Sequence, residues 1–455
     1  MCTYLCPSLC VCVFVCVLFN LFYFLPFCAF KNLVAKKGSE SQKEIKAMDE
    51  ALEDVVIVGA GIAGLTTCLG LHRQGIRSLV LESSESLRIT GFALLTWTNA
   101  WKALDAVGIA DSLRQQHELL RGNVTSSTIS GLQTSKMSFL AKGKHGEHEV
   151  RCLKRKLLLE ALANELPGGS IRFSSKVVSI EESGFFKLVH LADGNIIKTK
   201  VLIGSDGVNS VIAKWLGFKK PVFTGRSAFR GCANFNSKHD FDPMLMQFFG
   251  QGVRSGAMPC DDKCVYWFFT WTPSNQEKEL EDKPEKMRQY LMSKLGNIPE
   301  QVKAVIENTE LDAFLSSPLR YRHPWELLWG NISKGNVCVA GDALHPMTPD
   351  IGQGGCSALE DGAVLARCLG EALLEIKQKS VIDAKEGYKK IEMGLKKYAK
   401  ERRWRSFDLI ATAYVVGFIQ EGNGKIISFL RDKFFAPILA GWLLKRADFD
   451  CGKIL

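Results

Sequence analysis

One segment near the amino terminus constrains the fold more than any other part of this 455-residue chain. Residues 54–86 read DVVIVGAGIAGLTTCLGLHRQGIRSLVLESSES: an apolar run, a glycine turn, apolar residues at helical spacing, and a second apolar run ending in an acid. Short apolar runs of this kind are typical of buried parallel strands, and a glycine commonly ends a helix. The segment therefore predicts a strand–helix–strand unit whose helix ends at Gly75.

The glycines of this unit follow the GxGxxG spacing of dinucleotide-binding turns. The first allows the tight turn, the second lets a pyrophosphate approach the backbone, and the third lets helix and strand pack closely. The amino terminus of the helix presents N–H groups and a positive dipole end to the phosphates. An acid at the end of the second strand can accept hydrogen bonds from an adenosine ribose. The predicted dinucleotide contacts are Gly59, Gly61, Ile62, Ala63, Gly64 and Glu82.

Two later segments each place an acid beside a glycine after an apolar strand. VLIGSDGVNSVIAKWLG carries Asp206 and Gly207 before a predicted helix, and GNVCVAGDALHPMTP ends a predicted strand with Gly341 and Asp342. The stretch that follows, DIGQGGCSALEDGAVLARCL, opens a further helix with glycines. The GxGxxG turn alone suits NAD as well as FAD, and these later segments are what separates the two.

The three motifs, in this order and at these intervals, resemble those of the FAD-dependent monooxygenases of the aromatic-hydroxylase class. The resemblance extends from Asp54 to about Leu373. ALLTWTNAWKALDAVGI and the terminal ADFDCG are similar to the plant branch, whose members are described as salicylate-hydroxylase-like. The resemblance implies an α/β fold, with a Rossmann-like FAD-binding domain interleaved with a mixed β-sheet substrate domain, and C-terminal helices.

The resemblance also implies roles for individual residues. Asp342 would accept a hydrogen bond from the ribityl chain of FAD, and the stretch HPMTPDIGQGG would wrap the isoalloxazine ring. Proline restricts the backbone of this loop, and the amino terminus of the following helix favours the negative charge of a reduced flavin. The cofactor-binding residues implied in this way are Arg88, Arg155, Asp206, Gly207, Gly341, Asp342, Pro349, Gly352, Gln353, Gly354 and Gly355.

Residues 221–330 contain aromatic-rich runs with partial alternation, separated by turn residues. This pattern predicts a mixed or antiparallel sheet, which in the family covers the substrate cavity on one face of the flavin. Arg226 or Arg230 is a candidate to pair with a substrate carboxylate, and Phe248 and Trp267 are candidates to line the cavity. The alternative is that the arginines are structural or exposed and that the aromatic residues are core.

Four regions follow from these patterns. The predicted organisation is an apolar segment and linker over residues 1–47, a discontinuous FAD-binding domain over 54–220 and 331–375, a substrate-binding sheet over 221–330, and a helical region over 376–455.

The apolar segment carries no charge over residues 1–30, and a helix of about twenty residues can cross a bilayer. The lysines from Lys31 to Lys46 would then hold the downstream domain on the cytoplasmic side. The alternative is a start at Met48, shortly before the first strand. The protein is therefore expected to be cytoplasmic, or membrane-anchored with its catalytic domain facing the cytosol.

The activity implied by the resemblance is that of a single-component flavoprotein monooxygenase with NAD(P)H as co-substrate. FAD, once reduced, would form a flavin hydroperoxide with O2 and pass one oxygen atom to a small-molecule substrate, with ring hydroxylation of a small aromatic compound as the preferred interpretation. Two alternatives stay open: epoxidation of a lipophilic isoprenoid, and a non-catalytic FAD-fold escort of lipids or prenylated proteins. The loop residues from Asp342 to Gly355 favour the enzyme, because an escort has no use for them.

Several other classes are not indicated. The chain has a single GxGxxG, which argues against a reductase with two dinucleotide domains. The formal charge of +10 is not gathered into a long basic block, and there is no nucleic-acid motif. Nine of the fifteen cysteines are scattered through the body of the chain without a CxxC pair, and Cys260 and Cys264 lack a second pair of ligands in the nearby sequence. The sequence therefore predicts no metal.

Overall fold

The computed structural model describes residues 52–88, 92–250, 252–274, 283–379, 383–421 and 436–454. The predictions for residues 1–47, including the membrane anchor and the alternative start, lie outside these ranges. Within them, no helix combines the length and the apolar character that a membrane span requires.

The described chain forms nineteen strands and eleven helices. The strands are β1 (Glu53–Val58), β2 (Leu79–Leu81), β3 (Ala93–Thr96), β4 (Gly122–Ser127), β5 (Gln133–Ser138), β6 (Lys142–Gly143), β7 (Gly146–Glu147), β8 (Arg151–Lys154), β9 (Ile171–Arg172), β10 (Val177–Ser183), β11 (Phe186–Leu191), β12 (Ile196–Gly204), β13 (Val222–Asn234), β14 (Met244–Gly250), β15 (Val253–Asp261), β16 (Cys264–Trp271), β17 (Phe314–Tyr321), β18 (Ser333–Lys334) and β19 (Val337–Val339). The helices are α1 (Ile62–Arg73), α2 (Thr98–Val107), α3 (Ala110–Arg114), α4 (Arg155–Asn164), α5 (Val211–Trp215), α6 (Pro284–Lys294), α7 (Glu300–Glu307), α8 (Glu326–Trp329), α9 (Gly354–Gln378), α10 (Ala384–Glu421) and α11 (Ala436–Ala447).

The first sheet has eight strands around a parallel centre. Strand β1 pairs in parallel with β2 on one side and with β12 on the other, and β12 pairs in parallel with β19. The apolar run Val55–Val58 is buried on both faces of the sheet, as expected for a central parallel strand. The antiparallel strands β10 and β11 extend the sheet beyond β12.

The parallel pairing places four predicted site segments at one edge. Because β1, β2, β12 and β19 run in the same direction, their carboxyl ends meet at the same edge of the sheet. Gly59 follows β1, Glu82 follows β2, Asp206 follows β12, and Asp342 follows β19. Ligands of open parallel sheets bind at this edge.

The second sheet has seven strands in the order β17-β13-β16-β15-β14-β4-β5. All neighbours are antiparallel except β4 and β14, which pair in parallel. Strands β4 and β5 come from residues 122–138, which were predicted from the sequence to belong to the FAD-binding domain. The second sheet therefore draws on a larger part of the chain than residues 221–330, because the edge of β14 is completed by a strand that lies much earlier in the sequence.

Long helices follow the second sheet. Helix α9 packs against α1, α2 and α10, and α10 follows it with 38 residues. The predicted α/β fold, with a second sheet and C-terminal helices, is confirmed.

Candidate active site

Two connected cavities lie along the carboxyl edge of the first sheet. The first, called the edge cavity, has a volume of about 750 Å³ and is lined by the glycine turn after β1 and by the ends of the neighbouring strands. The second, called the inner cavity, has a volume of about 260 Å³ and lies between β3, the second sheet and the loop 347–355. Four residues line both cavities: Ile62, Arg155, Asp342 and Gly355. The two cavities therefore meet at the residues that the sequence assigned to the cofactor.

The GxGxxG turn is shaped for a ligand that approaches the backbone. Gly59 has φ +102°, and a Cβ there would lie 2.5 Å from the carbonyl oxygen of Ser205. A Cβ on Gly64 would lie 2.0 Å from the carbonyl oxygen of Gly59, so helix and strand pack too closely for a side chain. A Cβ on Gly61, in contrast, would meet no described atom within 4 Å. The middle glycine therefore keeps the cavity wall open, as a pyrophosphate requires.

The amino terminus of α1 faces this opening. Gly61 is its N-cap, and within the described part of the chain no side chain caps the first turn and no acid lies in it. Ile62 and Ala63, the first two residues of the helix, line the edge cavity. An uncapped helix start beside an open glycine is suited to an anionic group.

Glu82 places a carboxylate at the wall of the edge cavity. It accepts hydrogen bonds from the backbone N–H of Ala60 at 2.9 Å and of Ser84 at 3.0 Å. Burial raises the pKa of Glu82. These two bonds, together with Arg88 at 3.4 Å, lower the pKa by more than burial raises it, so it lies below its ordinary value. Glu82 is therefore an ionised acceptor, and Arg88 is a largely exposed neighbour that also lines the cavity.

Asp206 and Gly207 line the edge cavity from the turn after β12. The carboxylate of Asp206 accepts hydrogen bonds from the Ser210 hydroxyl at 2.5 Å and from the Val211 N–H at 2.7 Å. Burial raises the pKa of Asp206, and these bonds only partly oppose it. Asp206 therefore holds the start of α5 in place, so that its turn forms a wall of the cavity.

Arg155 lies where the two cavities meet, at the start of α4. Its Nε is buried and has no hydrogen-bond partner among the described residues. Burial lowers the pKa of Arg155, and the charge of Asp342 acts in the opposite direction. A buried donor without a partner is uncommon, and the residue that carries it lines both cavities, as does the acid Asp342. The open glycine turn, Glu82 and this donor together fit an FAD molecule in the edge cavity.

The loop after β19 is tightly packed from behind. Gly352 has φ +60°, and a Cβ there would lie 3.2 Å from Nε1 of Trp97. A Cβ on Gly355 would lie 2.5 Å from Cδ1 of Leu94. Pro349 begins a short 3₁₀ turn and lines the inner cavity, as do both of these glycines and Gly354. The loop is therefore a close-packed backbone surface, which suits contact with a flat ring.

Gly341 and the loop rest on a buried ionic group in α9. The carboxylate of Asp361 accepts hydrogen bonds from the backbone N–H of Gly341 at 2.6 Å and from Nε2 of His345 at 2.7 Å. It also accepts one from Nε of Arg402 at 2.6 Å. Burial raises the pKa of Asp361, but the charges of His345 and Arg402 lower it by more, so the pKa lies below its ordinary value. Asp361 therefore fixes the backbone next to Asp342.

A second acid of α9 extends this group. Glu360 pairs with Arg402 at 2.6 Å and with Arg405 at 2.6 Å, and it contacts Nδ2 of Asn99. The same Nδ2 donates to Oε1 of Gln353 at 2.8 Å. Gln353 is thus buried behind the loop and anchors it. Sequence reasoning missed Glu360 and its partners, because the two arginines lie on α10 in a basic stretch that reads as a solvated helix.

A further ionic group joins the loop to the second sheet, and it too was missed. The buried carboxylate of Asp350 pairs with Arg226 at 2.7 Å and with Arg254 at 2.9 Å. Arg254 also donates to Oε1 of Gln247 at 3.0 Å, and Gln247 donates to Asn123 at 3.0 Å. Arg226 is therefore an ion-pair partner of the loop and does not appear among the described residues that line the inner cavity.

The other substrate candidates separate by the face of the sheet they occupy. Arg230 lines the inner cavity, whereas Phe248 and Trp267 are buried in a core cluster with α6 and α7 on the other face. Successive side chains of a strand alternate between faces, so the residues beside them, Gln247 and Phe268, line the cavity instead. Phe248 and Trp267 therefore do not line the cavity. They are core residues, as the alternative interpretation of these aromatic residues held.

The chain is similar to known flavoproteins over most of its length. A family model described as "FAD binding domain" matches residues 53–387. "Monooxygenase 2" of Arabidopsis thaliana is 55% identical over 90% of this chain and 99% of its own length, and "Monooxygenase 1" of the same plant is 35% identical over 88% and 99%. The solved structure of Klebsiella pneumoniae HpxO with FAD and uric acid superposes with a TM-score of 0.74 at 23% identity, covering 88% of this chain and 98% of that one, and it supports the fold.

The matched residues include every segment that lines the edge cavity. Both the flavoprotein prediction and the FAD prediction are confirmed. The chain belongs to the plant FAD-dependent monooxygenases of the aromatic-hydroxylase class, and is a flavoprotein monooxygenase.

Proposed function

We propose that this monooxygenase hydroxylates a small, flat aromatic compound that carries a carboxylate or another anionic oxygen, with NAD(P)H as the reductant. The observation that carries the proposal is the inner cavity, which is small, mostly apolar and supplied with the guanidinium of Arg230. The epoxidation of a lipophilic isoprenoid is the competing assignment.

The size of the inner cavity favours the small substrate. Its volume of about 260 Å³ lies below the range of about 300–1,000 Å³ that is typical for drug-sized ligands. The far face of the second sheet is packed against α6 and α7, so the cavity does not continue through that sheet. A single ring system is the class of compound that such a space accommodates.

The lining combines apolar walls with convergent polar groups. The apolar side chains that line the cavity include Leu94, Leu95, Phe139, Leu245, Met258 and Phe268. Nε of Arg230 is buried and has no hydrogen-bond partner among the described residues, while its Nη2 is held by Ser317. A fixed guanidinium with a free donor is suited to an anionic oxygen. Tyr266 on β16 also lines the cavity, diagonally across from Arg230 on β13, and adds a second polar group.

The protein contributes the positions of the reacting groups. FAD, when bound, supplies the activation of O2 and the transfer of one oxygen atom. Asp342 and Arg155 would hold the cofactor at the junction of the cavities, and the amino terminus of α9 would favour negative charge at Gly354 and Gly355. The pair of Asp350 with Arg254 keeps the loop against the sheet that carries Arg230. Substrate and cofactor would thus meet where the two cavities join.

The test is anaerobic flavin reduction followed by product analysis. Full-length protein loaded with FAD is mixed with NADH or NADPH, with and without a panel of aromatic carboxylates, phenols and isoprenoids. Flavin bleaching that one aromatic acid accelerates, together with a product carrying one atom of ¹⁸O from ¹⁸O₂, is the expected result. A product formed only from an isoprenoid would overturn the aromatic assignment.

Arg230→Met is the variant that tests the anion contact. We expect the KM of the aromatic acid to rise roughly tenfold to a hundredfold, because a hydrogen bond to a charged group contributes about 1.5–3 kcal/mol. Arg320→Met is a matched control, because Arg320 lies on β17 in the same sheet and outside the described lining of the cavity. An unchanged KM in Arg230→Met would remove Arg230 from the proposal.

A further inference from the structure

Four buried thiols converge beside the inner cavity, on strands β8, β13, β15 and β16. The Sγ atoms of Cys232, Cys260 and Cys264 all lie within 4.8 Å of one another. The Sγ of Cys152 lies 3.2 Å from that of Cys260. All four are free and buried. Two core cysteines in contact are unremarkable, but four thiols from four separate strands form a set with the composition of a metal site.

The fold assembles this set from residues that lie far apart in sequence. Cys260 and Cys264 flank the tight turn between β15 and β16, with the C-x3-C spacing that gives two ligands in many zinc sites. Cys232 on β13 lies opposite Tyr266 on β16. Tyr266 is two residues after Cys264, so Cys232 and Cys264 lie on the same face of the sheet. Cys152 approaches from β8, 108 residues before Cys260. The sequence predicts no metal because the second pair of ligands is absent from the local spacing, and the fold supplies it.

We propose that Cys232, Cys260 and Cys264, with Cys152 as the fourth ligand, bind one Zn²⁺ ion. Zinc–sulfur bonds of about 2.3 Å in a tetrahedron place the sulfur atoms about 3.8 Å apart. The Sγ atoms of Cys232, Cys260 and Cys264 lie within 4.8 Å of one another, and that of Cys152 lies 3.2 Å from Cys260, so Cys152 would shift towards the ion to become the fourth ligand. The thiols would release their protons to solvent on binding, without any change of oxidation state. Since all four ligands are buried, the site has no position open to water or substrate and is structural.

An ion pair lies beside the thiol set. Three or four thiolates around a divalent cation leave a net negative charge, which a nearby cation offsets. Lys154 places an ammonium beside the thiols, but it is already paired with the carboxylate of Asp261, the residue after Cys260, so it offsets this charge only in part. Lys154 is itself two residues from Cys152 on β8. An ammonium therefore lies at the edge of the thiol set, on the strand that brings the fourth sulfur.

The position of the site suggests what the ion would do. On each of three strands a cysteine lies two residues from a residue that lines the inner cavity, and on the same face. The three pairs are Arg230 with Cys232, Met258 with Cys260, and Tyr266 with Cys264. An ion held by the cysteines would fix these strands relative to β8, and so fix the wall that carries the proposed substrate contacts.

The experiment uses the full-length protein with FAD bound, purified under reductant. Metal content is measured by mass spectrometry as isolated and after incubation with Zn²⁺ and removal of excess, and Co²⁺ is substituted as a spectroscopic probe. We expect roughly one equivalent of zinc per chain, and cobalt ligand-field bands at wavelengths beyond the flavin absorbance with the intensity of a tetrahedral thiolate site. Cadmium-113 NMR of the substituted protein counts the thiolates without any substitution in the chain.

Cys264→Ser is the test variant, and Cys368→Ser, a buried cysteine in α9, is the control. Loss of the metal in Cys264→Ser, with full content in Cys368→Ser, supports the site, and a cadmium shift typical of three or four thiolates does so even where Cys264→Ser fails to fold. Wild-type protein that holds no zinc after incubation would overturn the proposal. So would zinc that persists in folded Cys264→Ser, or a disulfide between Cys152 and Cys260 in the reduced preparation. None of these readouts depends on the identity of the substrate.

Discussion

The carboxylate of Asp350 lies 2.7 Å from the guanidinium of Arg226, and both groups are buried. Asp350 belongs to the glycine-rich loop after the first sheet, and Arg226 belongs to β13 of the second sheet. Arg254 on β15 completes the group at 2.9 Å. The cofactor side and the substrate side of the site are therefore joined by an ionic contact as well as by apolar packing.

Asp350→Asn should destabilise the protein strongly. Breaking a buried ion pair typically costs about 3–5 kcal/mol, and this substitution removes a buried carboxylate that two guanidiniums share. Urea unfolding of the FAD-loaded protein measures the change. Asp54→Asn is the control: its pair with Lys200 is about half exposed, so its free energy of unfolding should change by less than about 1 kcal/mol. Equal effects of the two substitutions would contradict the structural role of Asp350.

Two substitutions in the GxGxxG turn should fail in different ways. In Gly61→Ala the new methyl group points into open space, and φ −82° is accessible to alanine, so the apoprotein should fold normally. It should bind FAD at least about tenfold more weakly, because the methyl group occupies the space of the phosphates. In Gly64→Ala the methyl group would meet the carbonyl oxygen of Gly59 at 2.0 Å, so folding itself should suffer.

Thermal unfolding of the apoproteins and flavin content after reconstitution separate the two effects. Gly61→Ala should keep the wild-type melting temperature and lose flavin, whereas Gly64→Ala should lose both. A Gly61→Ala protein with full flavin content would show that no ligand group approaches that backbone.

The sequence predicted the edge cavity well, because each of its parts is a local motif. A glycine turn, an acid after a strand and a glycine-opened helix can each be recognised within a few residues, and parallel pairing then brings the acids Glu82 and Asp342 to one edge. The faces of the second sheet could not be predicted in this way. Strand β16 reads CVYWFFTW, with apolar side chains on both faces, so period-2 alternation carries no information about which aromatic residue faces the cavity.

The ionic groups and the thiol set were beyond sequence reasoning for a different reason. Glu360 and Arg402 are partners across two helices, and Cys152 and Cys260 are partners across two sheets, so neither pair has a characteristic spacing. Only the packing of α9 against α10, and of β8 against β15, brings them together. A buried acid in an otherwise apolar helix, as in SALEDGAVLA, is the one signal that could have indicated a hidden cation.

Glu360 should make the stability depend on acid pH. The ordinary pKa of a glutamate is 4.5. Burial raises the pKa of Glu360, but Arg405 and Arg402 lower it by more, so that it falls to about 2. A depressed carboxyl pKa contributes stability that is present above about pH 4.5 and is lost as the pH falls towards 2. The difference of about 2.5 pKa units corresponds to about 3 kcal/mol.

Urea unfolding of wild type and Glu360→Gln between pH 7 and pH 3 tests this dependence. The gap between their free energies of unfolding should be largest at neutral pH and shrink as the pH falls below 4.5. Glu300→Gln, in an exposed pair on α7, should follow the wild type throughout. A gap that stays constant with pH would mean that the effect of Glu360 comes from packing alone.

Arg155→Met should weaken FAD binding without unfolding the protein. Arg155 lies where both cavities meet, and its buried Nε has no partner among the described residues, so methionine can replace its volume without leaving a protein acceptor unpaired. If Nε donates to the cofactor, its loss should raise the Kd for FAD roughly tenfold to a hundredfold, as for a hydrogen bond to a charged group of about 1.5–3 kcal/mol. Quenching of flavin fluorescence on titration measures this Kd. Lys156→Met, the exposed neighbour, should bind FAD as the wild type does.

Arg155→Lys separates charge from geometry: an ammonium keeps the charge but cannot place a donor at the position of Nε, so an affinity close to that of Arg155→Met would assign the contact to the guanidinium itself. An Arg155→Met protein with wild-type affinity would instead show that Arg155 serves only the fold.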